Sequence, residues 1–280
     1  MTPSASLKES RERELWRALG GVDDPELDES VVSMGFVEAA DVADGGDVAV
    51  DFRLPTYWCS PNFAFLMLDD IRRALEGLSW SPRFMIRLHD HMFADEVNAG
   101  LAAGRSFPAI FGDLAGGEDL DALRETFRRK AYERRQEAVL RSLREAGLDD
   151  EAIAALTIGD LEAGDGPADA DAVRRYLEAC RARWGSPAAG EPAFRTLTGE
   201  VVAAAALGEH LSRLRRLRVT MEFNGALCRG LKEARYKRLE VVDGEPTLVD
   251  FMLDRVPPPN AGAGARVGAG EAAGGGCRAG

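Results

Sequence analysis

Apolar and polar positions alternate one for one over residues 48–54, with Val48, Val50, Phe52 and Leu54 on one side and Ala49, Asp51 and Arg53 on the other. That period of two predicts a half-buried strand. Residues 36–42 predict a second strand, and Asp44-Gly45-Gly46-Asp47 between them is a turn signal. Residues 83–89 alternate again, with Phe84, Ile86 and Leu88 inward. Helical spacing governs residues 7–19, with Leu15, Trp16 and Leu19 apolar and Gly20-Gly21 as the stop. It returns over residues 62–76 through Phe63, Met67, Ile71 and Ala74, behind Ser60 as N-cap and Pro61 at the first helical position. The order helix, hairpin, helix, strand predicts a small α/β domain over residues 1–91 with a mixed sheet of about three strands.

Beyond residue 91 the pattern is helical. Residues 93–104, 119–146, 171–184 and 224–236 predict helices, and Asp149 caps another through Leu156. Residues 162–170 and 185–193 predict linkers, and residues 238–253 a hairpin around Asp243-Gly244. From Pro257 the chain is Pro, Gly and Ala with almost no large apolar side chain, which predicts disorder. The expected fold class is therefore α+β: a small α/β domain (1–91), a mostly helical region (92–255) and a disordered tail (256–280).

Composition narrows the function classes. Hydrophobic residues make up 45% of the 280, enough for a sizeable core, yet no run approaches the roughly 18 apolar residues of a membrane helix. The polar N-terminus MTPSASLKESRERELW offers no secretory core, so the expected place is the cytoplasm and no membrane is expected. A net charge of -12 argues against general nucleic-acid binding. The charge is uneven: residues 1–51 hold thirteen acids against four bases, while 213–238 hold nine bases against Glu222 and Glu233. Either these parts face each other or solvent, or the basic stretch docks an acidic partner protein.

Topology predicts where chemistry gathers. A tight turn makes the first two strands antiparallel, and the helical crossover makes the second and third parallel. One sheet edge then receives Asp23-Asp24-Pro25-Glu26, the loop Pro55–Ser60 and His89-Asp90-His91. Ligands favour that edge in open α/β sheets.

Cys59 precedes a helix, where free N–H groups favour a thiolate for metal ligation or sulfur chemistry. The alternative is an inert buried cysteine. His89 and His91 lie two apart on extended chain with Asp95 and Glu96 following, donors that suit iron or zinc, or else plain surface histidines. Asp23, Asp24 and Glu26 fit either a ligand role or a capped turn. The four cysteines (Cys59, Cys180, Cys228, Cys277) form no CxxC pair. No P-loop or dinucleotide loop occurs, and the run Gly112 to Gly117 lacks a lysine.

The pattern Val22-Asp23-Asp24-Pro25-Glu26-Leu27, Val31 to Val37, Val48 to Phe52 and Cys59 resembles the PaaD/SufT-like iron–sulfur cluster assembly domain, over roughly residues 7–91. Its motif positions fall on Asp24, Pro25, Glu26 and Cys59. The family's threonine four residues before the cysteine is Pro55 here, with Thr56 one later.

The resemblance implies a small α/β domain that assists cluster delivery or metalloprotein maturation without being an enzyme. Iron or an iron–sulfur cluster would be held transiently by Cys59, with Asp24 and Glu26 beside it and His89 and His91 as optional co-ligands. HDHMFADEVNAG and the helical part ending near ALCRGLKEARY resemble accessory proteins of soluble propane-type di-iron monooxygenases. The client is then expected to be the oxygenase component or its reductase, with a homodimer sharing ligands. The competing expectations are a non-catalytic adaptor with a structural Cys59 and a metal-dependent hydrolase using His89 and His91.

Overall fold

The computed structural model describes residues 3–112 and 120–236. The hairpin expected over 238–253, the tail expected from 256 and most of the Gly112–Gly117 run lie outside the described residues. Met1–Lys232 form one compact unit and Glu233–Gly280 a second, described here only to residue 236.

Helix α1 (Pro3–Gly20) buries Leu15 and Leu19, one turn apart, and leaves Trp16 exposed at 39%, not inward as its spacing suggested. A residue next to Leu15 lies about 100° around the helix, off the buried stripe. Two short strands, β1 (Asp23–Asp24) and β2 (Glu29–Ser30), then pair antiparallel around Pro25–Asp28. Strands β3 (Val37–Val42) and β4 (Val48–Arg53) form the expected antiparallel hairpin. Its turn needs Gly46 at φ +92°, a conformation a side chain would strain.

Pro61 opens α2 (Pro61–Glu76) at the first turn, although the Ser60 side chain makes no cap bond. The helix covers the sheet with Phe65, Met67, Leu68, Ile71 and Leu75. Strand β5 (Phe84–His89) lies parallel to β4, giving the order β3-β4-β5. The three-stranded mixed sheet is therefore as the alternation predicted.

This core continues past residue 91. Helix α3 (Ala94–Ala102) and the short α4 (Phe107–Phe111) add Val97, Phe107 and Phe111 to it. Asn98 substitutes for a fourth strand at the edge of β5: its Oδ1 accepts from Leu88 N–H at 2.8 Å and its Nδ2 donates to the Leu88 carbonyl at 3.0 Å. Full burial of Phe52 or Leu68 contributes roughly 1.5–3 kcal/mol each.

The rest is helical: α5 (Leu120–Glu145), α6 (Asp150–Ala155), α7 (Ile158–Ala163), α8 (Ala170–Trp184) and α9 (Ala204–Tyr236). Tyr132, Val139, Leu143, Ile153, Tyr176, Leu177 and Leu214 build a second apolar cluster. Gln136, fully buried, donates from Nε2 to the Tyr176 hydroxyl at 2.9 Å and the Arg195 carbonyl at 2.9 Å. It accepts from His210 Nε2 at 2.6 Å, which seats α9 on α5.

Two expectations are corrected here. Residues 185–193 are tied down, since Ile158 N–H donates to the Glu191 carbonyl and Gly159 N–H to that of Ala189, both at 2.8 Å. Helix α9 begins at Ala204, twenty residues before the expected 224; His210 and the arginines break up its apolar stripe of Leu207, Leu214 and Met221 and so mask its first half in the sequence pattern. Among the described residues no helix is long and apolar enough to cross a membrane.

Candidate functional site

Register fixes the edge that carries the chemistry. Arg53, the last residue of β4, pairs with His89, the last of β5, and Arg53 N–H donates to the Phe36 carbonyl at 2.8 Å. The chain leaving β4, the chain leaving β5 and the chain entering β3 thus meet as the topology predicted.

Cys59 sits half-buried on the loop between β4 and α2. Pro55 is buried, while Tyr57 and Trp58 are exposed, Trp58 at 73%. Thr56 Oγ1 lies 3.0 Å from the Cys59 thiol. The hydroxyl therefore reaches the sulfur from three residues before it.

The loop is fastened to the segment after β5 by two bonds. His91 Nε2 donates to the Cys59 carbonyl at 2.8 Å, and Met92 N–H donates to that of Tyr57 at 2.9 Å. His91 Nδ1 accepts from Phe93 N–H at 3.2 Å, so both ring nitrogens are engaged in the neutral form. Burial holds its pKa below the ordinary value, partly opposed by the bond to Cys59. His89 points elsewhere: its Nε2 lies 2.7 Å from Asp51 Oδ1 across the parallel pair. Asp90, between the two histidines, takes φ +50°. Asp95 and Glu96 are exposed.

The acidic turn splits into two roles. Asp24 is buried, and its Oδ1 accepts from Glu26 N–H at 2.9 Å and Leu27 N–H at 3.0 Å, closing an Asx turn. Burial pushes its carboxyl up to about 6; the two N–H bonds pull the other way, and Glu26 and Glu29 add to the rise. Glu26 is half-buried at the tip.

Asp23 and Asp28 instead face arginines from the helical part. Arg135 Nη2 donates to Asp28 Oδ1 at 2.6 Å and Asp23 Oδ2 at 2.8 Å, while Arg175 Nη2 reaches the same two oxygens at 3.1 and 3.0 Å. Arg134 donates to the Asp28 carbonyl at 2.6 Å. Burial raises the Asp23 pKa despite those cations.

Four cations of the basic stretch of α9 are paired in the same way. Arg213 meets Glu133, Arg218 meets Glu137 and Glu222, Arg229 meets Glu29, and Lys232 Nζ donates to Glu38 Oε1 at 3.1 Å. Two of these pairs, Arg229–Glu29 and Lys232–Glu38, join the acidic residues 1–51 to the basic stretch, and the other three lie between α5 and α9 or within α9.

Sequence spacing gave no pointer to Cys228. It lies on α9, half-buried, against the same apolar cluster that holds Cys59. Burial and the charges of Asp24, Cys59 and Glu26 push its thiol up to about 11, against the pull of Arg229. The only signal available was helical phase, since Gly225, Cys228 and Lys232 share one face. Among the described residues no three His, Cys, Asp or Glu side chains lie close enough together to hold one metal ion.

Residues 12–82 match a family described as iron-sulfur cluster assembly protein. The match takes in the acidic turn, the β3–β4 hairpin, the Cys59 loop and α2, and it covers about a quarter of the chain. No curated protein and no solved structure matches the chain.

Proposed function

We propose that this chain is a maturation factor that carries iron or an iron–sulfur cluster as cargo at Cys59 and passes it to a client metalloprotein. The observation that carries the reading is Cys59 itself. It is a half-buried thiol on a loop held by His91 and Met92 and rimmed by exposed Tyr57 and Trp58, within the segment matching the assembly family. A thiol so placed can be reached by a partner yet does not drift. The donor chemistry fits a transient load, because a cluster usually takes four ligands and no complete set stands here among the described residues. A second copy or the client would supply the remainder.

Asp24 and Glu26 act as the neighbouring carboxylates of that site. His91 serves as the post that fixes the loop, and both its nitrogens are already in use. The client we favour is a di-iron oxygenase component or its reductase, supported by the HDHMFADEVNAG and ALCRGLKEARY segments. The role is non-catalytic: it needs no general base at Cys59, and His91 Nε2 meets the Cys59 carbonyl and not its sulfur.

The test is iron and acid-labile sulfide per chain in wild type and Cys59→Ser, purified without oxygen, followed by client maturation in cells carrying the variant. Iron in wild type that is lost in the variant, with impaired maturation, supports the carrier. Full client maturation by Cys59→Ser sinks it and leaves an adaptor.

A further inference from the structure

Trp58 is 73% exposed, Tyr57 46% and Met92 45%. The three belong to one patch. Tyr57 and Trp58 directly precede Cys59, and Met92 N–H donates to the Tyr57 carbonyl at 2.9 Å, next to the His91 bond to the Cys59 carbonyl. Two other tryptophans show the contrast. Trp80 Nε1 donates to the Gly46 carbonyl at 2.8 Å, and Trp184 lies edge-on to Tyr132 with the Arg183 guanidinium over its ring. Among the described residues the Trp58 indole and the Tyr57 hydroxyl meet no hydrogen-bond or ring partner.

Water is a poor surrounding for an indole, and a loose loop would turn such a ring inward. This loop is fastened at the Tyr57 and Cys59 carbonyls, so the rings stay outward. A docking partner then has little left to order. Tryptophan and tyrosine are also the side chains that most often dominate binding at protein interfaces.

The charge around the patch has one sign. No lysine or arginine occurs from Leu54 to Ile71 or from Leu88 to Gly104. Arg53, where the loop begins, is paired with Glu38 at 3.1 Å. Asp95 and Glu96 are exposed in the first turn of α3, three and four residues beyond Met92.

We propose that Tyr57, Trp58 and Met92 dock the client metalloprotein by entering an apolar pocket of that protein flanked by lysine or arginine. This rests on the carrier reading of Cys59. Like-charged rims repel, so a second copy of this chain does not suit the same face. The placement serves transfer directly. Consecutive Cα atoms are about 3.8 Å apart, so a partner that seats the Trp58 ring has Cys59 at its surface.

The experiment reads binding and metal content on the same proteins. The full chain is passed at low and high salt over the immobilised apo forms of the oxygenase component and of its reductase, the two clients of the carrier reading. Wild type is compared with Trp58→Ser, with Asp95→Asn combined with Glu96→Gln, and with Cys59→Ser. Iron, acid-labile sulfide and the alkylation rate of Cys59 are measured on each chain that keeps the thiol, and iron and sulfide on Cys59→Ser.

Wild type is expected to bind one of the two clients, and more weakly as salt rises. Trp58→Ser should weaken binding about tenfold or more and keep the wild-type iron content and alkylation rate. The neutralised rim should weaken binding and remove its salt dependence. Cys59→Ser should bind as wild type does.

Wild-type affinity in Trp58→Ser, or in the neutralised rim, overturns the proposal. So does a wild-type chain that binds neither client. A wild-type dimer that Trp58→Ser dissociates in sedimentation overturns it as well, because the occupant is then a second copy. Iron lost from Trp58→Ser overturns it too, since the ring then serves the loop itself. Failure of the carrier reading looks different: iron is then the same in Cys59→Ser and wild type, while the binding pattern stands.

Discussion

His91 holds the main-chain carbonyl of Cys59 through Nε2 at 2.8 Å, so the residue that completes the sheet edge also fixes the loop that carries the thiol. The imidazole is buried and its other nitrogen accepts from Phe93 N–H. It is a neutral strut between two chain segments brought side by side by the parallel pairing of β4 with β5.

Removing the strut should free the loop without removing the thiol. His91→Ala leaves the Cys59 carbonyl and Phe93 N–H without their partner, at a cost of roughly 1–3 kcal/mol. The expected outcome is a lower unfolding midpoint together with faster labelling of Cys59 by a thiol reagent. Unchanged labelling would mean that the Met92–Tyr57 bond alone sets the loop.

Asp24 predicts a pH-dependent gain from a conservative change. Its carboxyl rises to about 6 in the fold from an ordinary 3.8, so the native state binds more protons than the unfolded chain between those values. Stability from this group is full below pH 3.8 and falls as pH rises through 6. Asp24→Asn keeps an acceptor for Glu26 and Leu27 N–H but cannot ionise. It should stabilise the protein at pH 7 by about 1–3 kcal/mol and change little at pH 4, as read by denaturant unfolding at both values. The same variant should weaken metal loading if the carboxylate serves the cargo.

The ion pairs between the two parts of the chain make the acidic turn sensitive to a distant residue. Asp28 is 3% exposed and faces Arg134, Arg135 and Arg175. Arg135→Met strips away the one that bonds both its carboxylate oxygens and also Asp23. Arg134 and Arg175 remain beside Asp28, so the cost stays below the roughly 3–5 kcal/mol of leaving a buried charge with no partner. The expected result is a drop in the unfolding midpoint, with faster hydrogen exchange at the amides of residues 23–30. Exchange confined to α5 would show that the turn does not depend on the arginine.

Much of this architecture was legible in the sequence because it follows from short-range periodicity. The alternation of Val48, Val50, Phe52 and Leu54, the turn at Gly46 and Pro61 at a helix start set the sheet, its register and the edge where Cys59 and His91 meet. Helix α9 was half hidden because His210 sits in its buried stripe, and a histidine reads as polar until Gln136 is known to face it. Cys228 was hidden for a deeper reason. The groups whose charges reach it, Asp24, Glu26 and Cys59, come from the other end of the chain, and no local pattern encodes the Arg229–Glu29 and Lys232–Glu38 pairs that bring the helix there. The histidines misled in the opposite sense: two residues apart on extended chain they could share a side, but Asp90 at φ +50° breaks the strand, sending His89 to Asp51 and His91 to the Cys59 carbonyl.

His210 gives a pH dependence of opposite sign to Asp24. It is buried against Gln136, with Arg213 Nη2 at 3.4 Å from Nδ1. Burial, helped by Arg213, lowers its pKa from 6.5 to about 4. The unfolded chain therefore binds more protons than the native state between those values, and stability must fall as pH drops from 6.5 through 4. The contribution is full above pH 6.5 and amounts to about 3.5 kcal/mol at most, since each pKa unit is worth about 1.4 kcal/mol. His210→Gln keeps a donor for Gln136 and cannot take up a proton. Unfolding free energy measured from pH 4 to 7.5 should slope upward less steeply in this variant than in wild type, and the two curves should differ most in slope between pH 4 and 6.5. Because Asp24 opposes the slope over the same interval, wild type alone can look nearly flat there. The double variant with Asp24→Asn separates the two: it should lose both slopes, whereas Asp24→Asn by itself should steepen the acid decline.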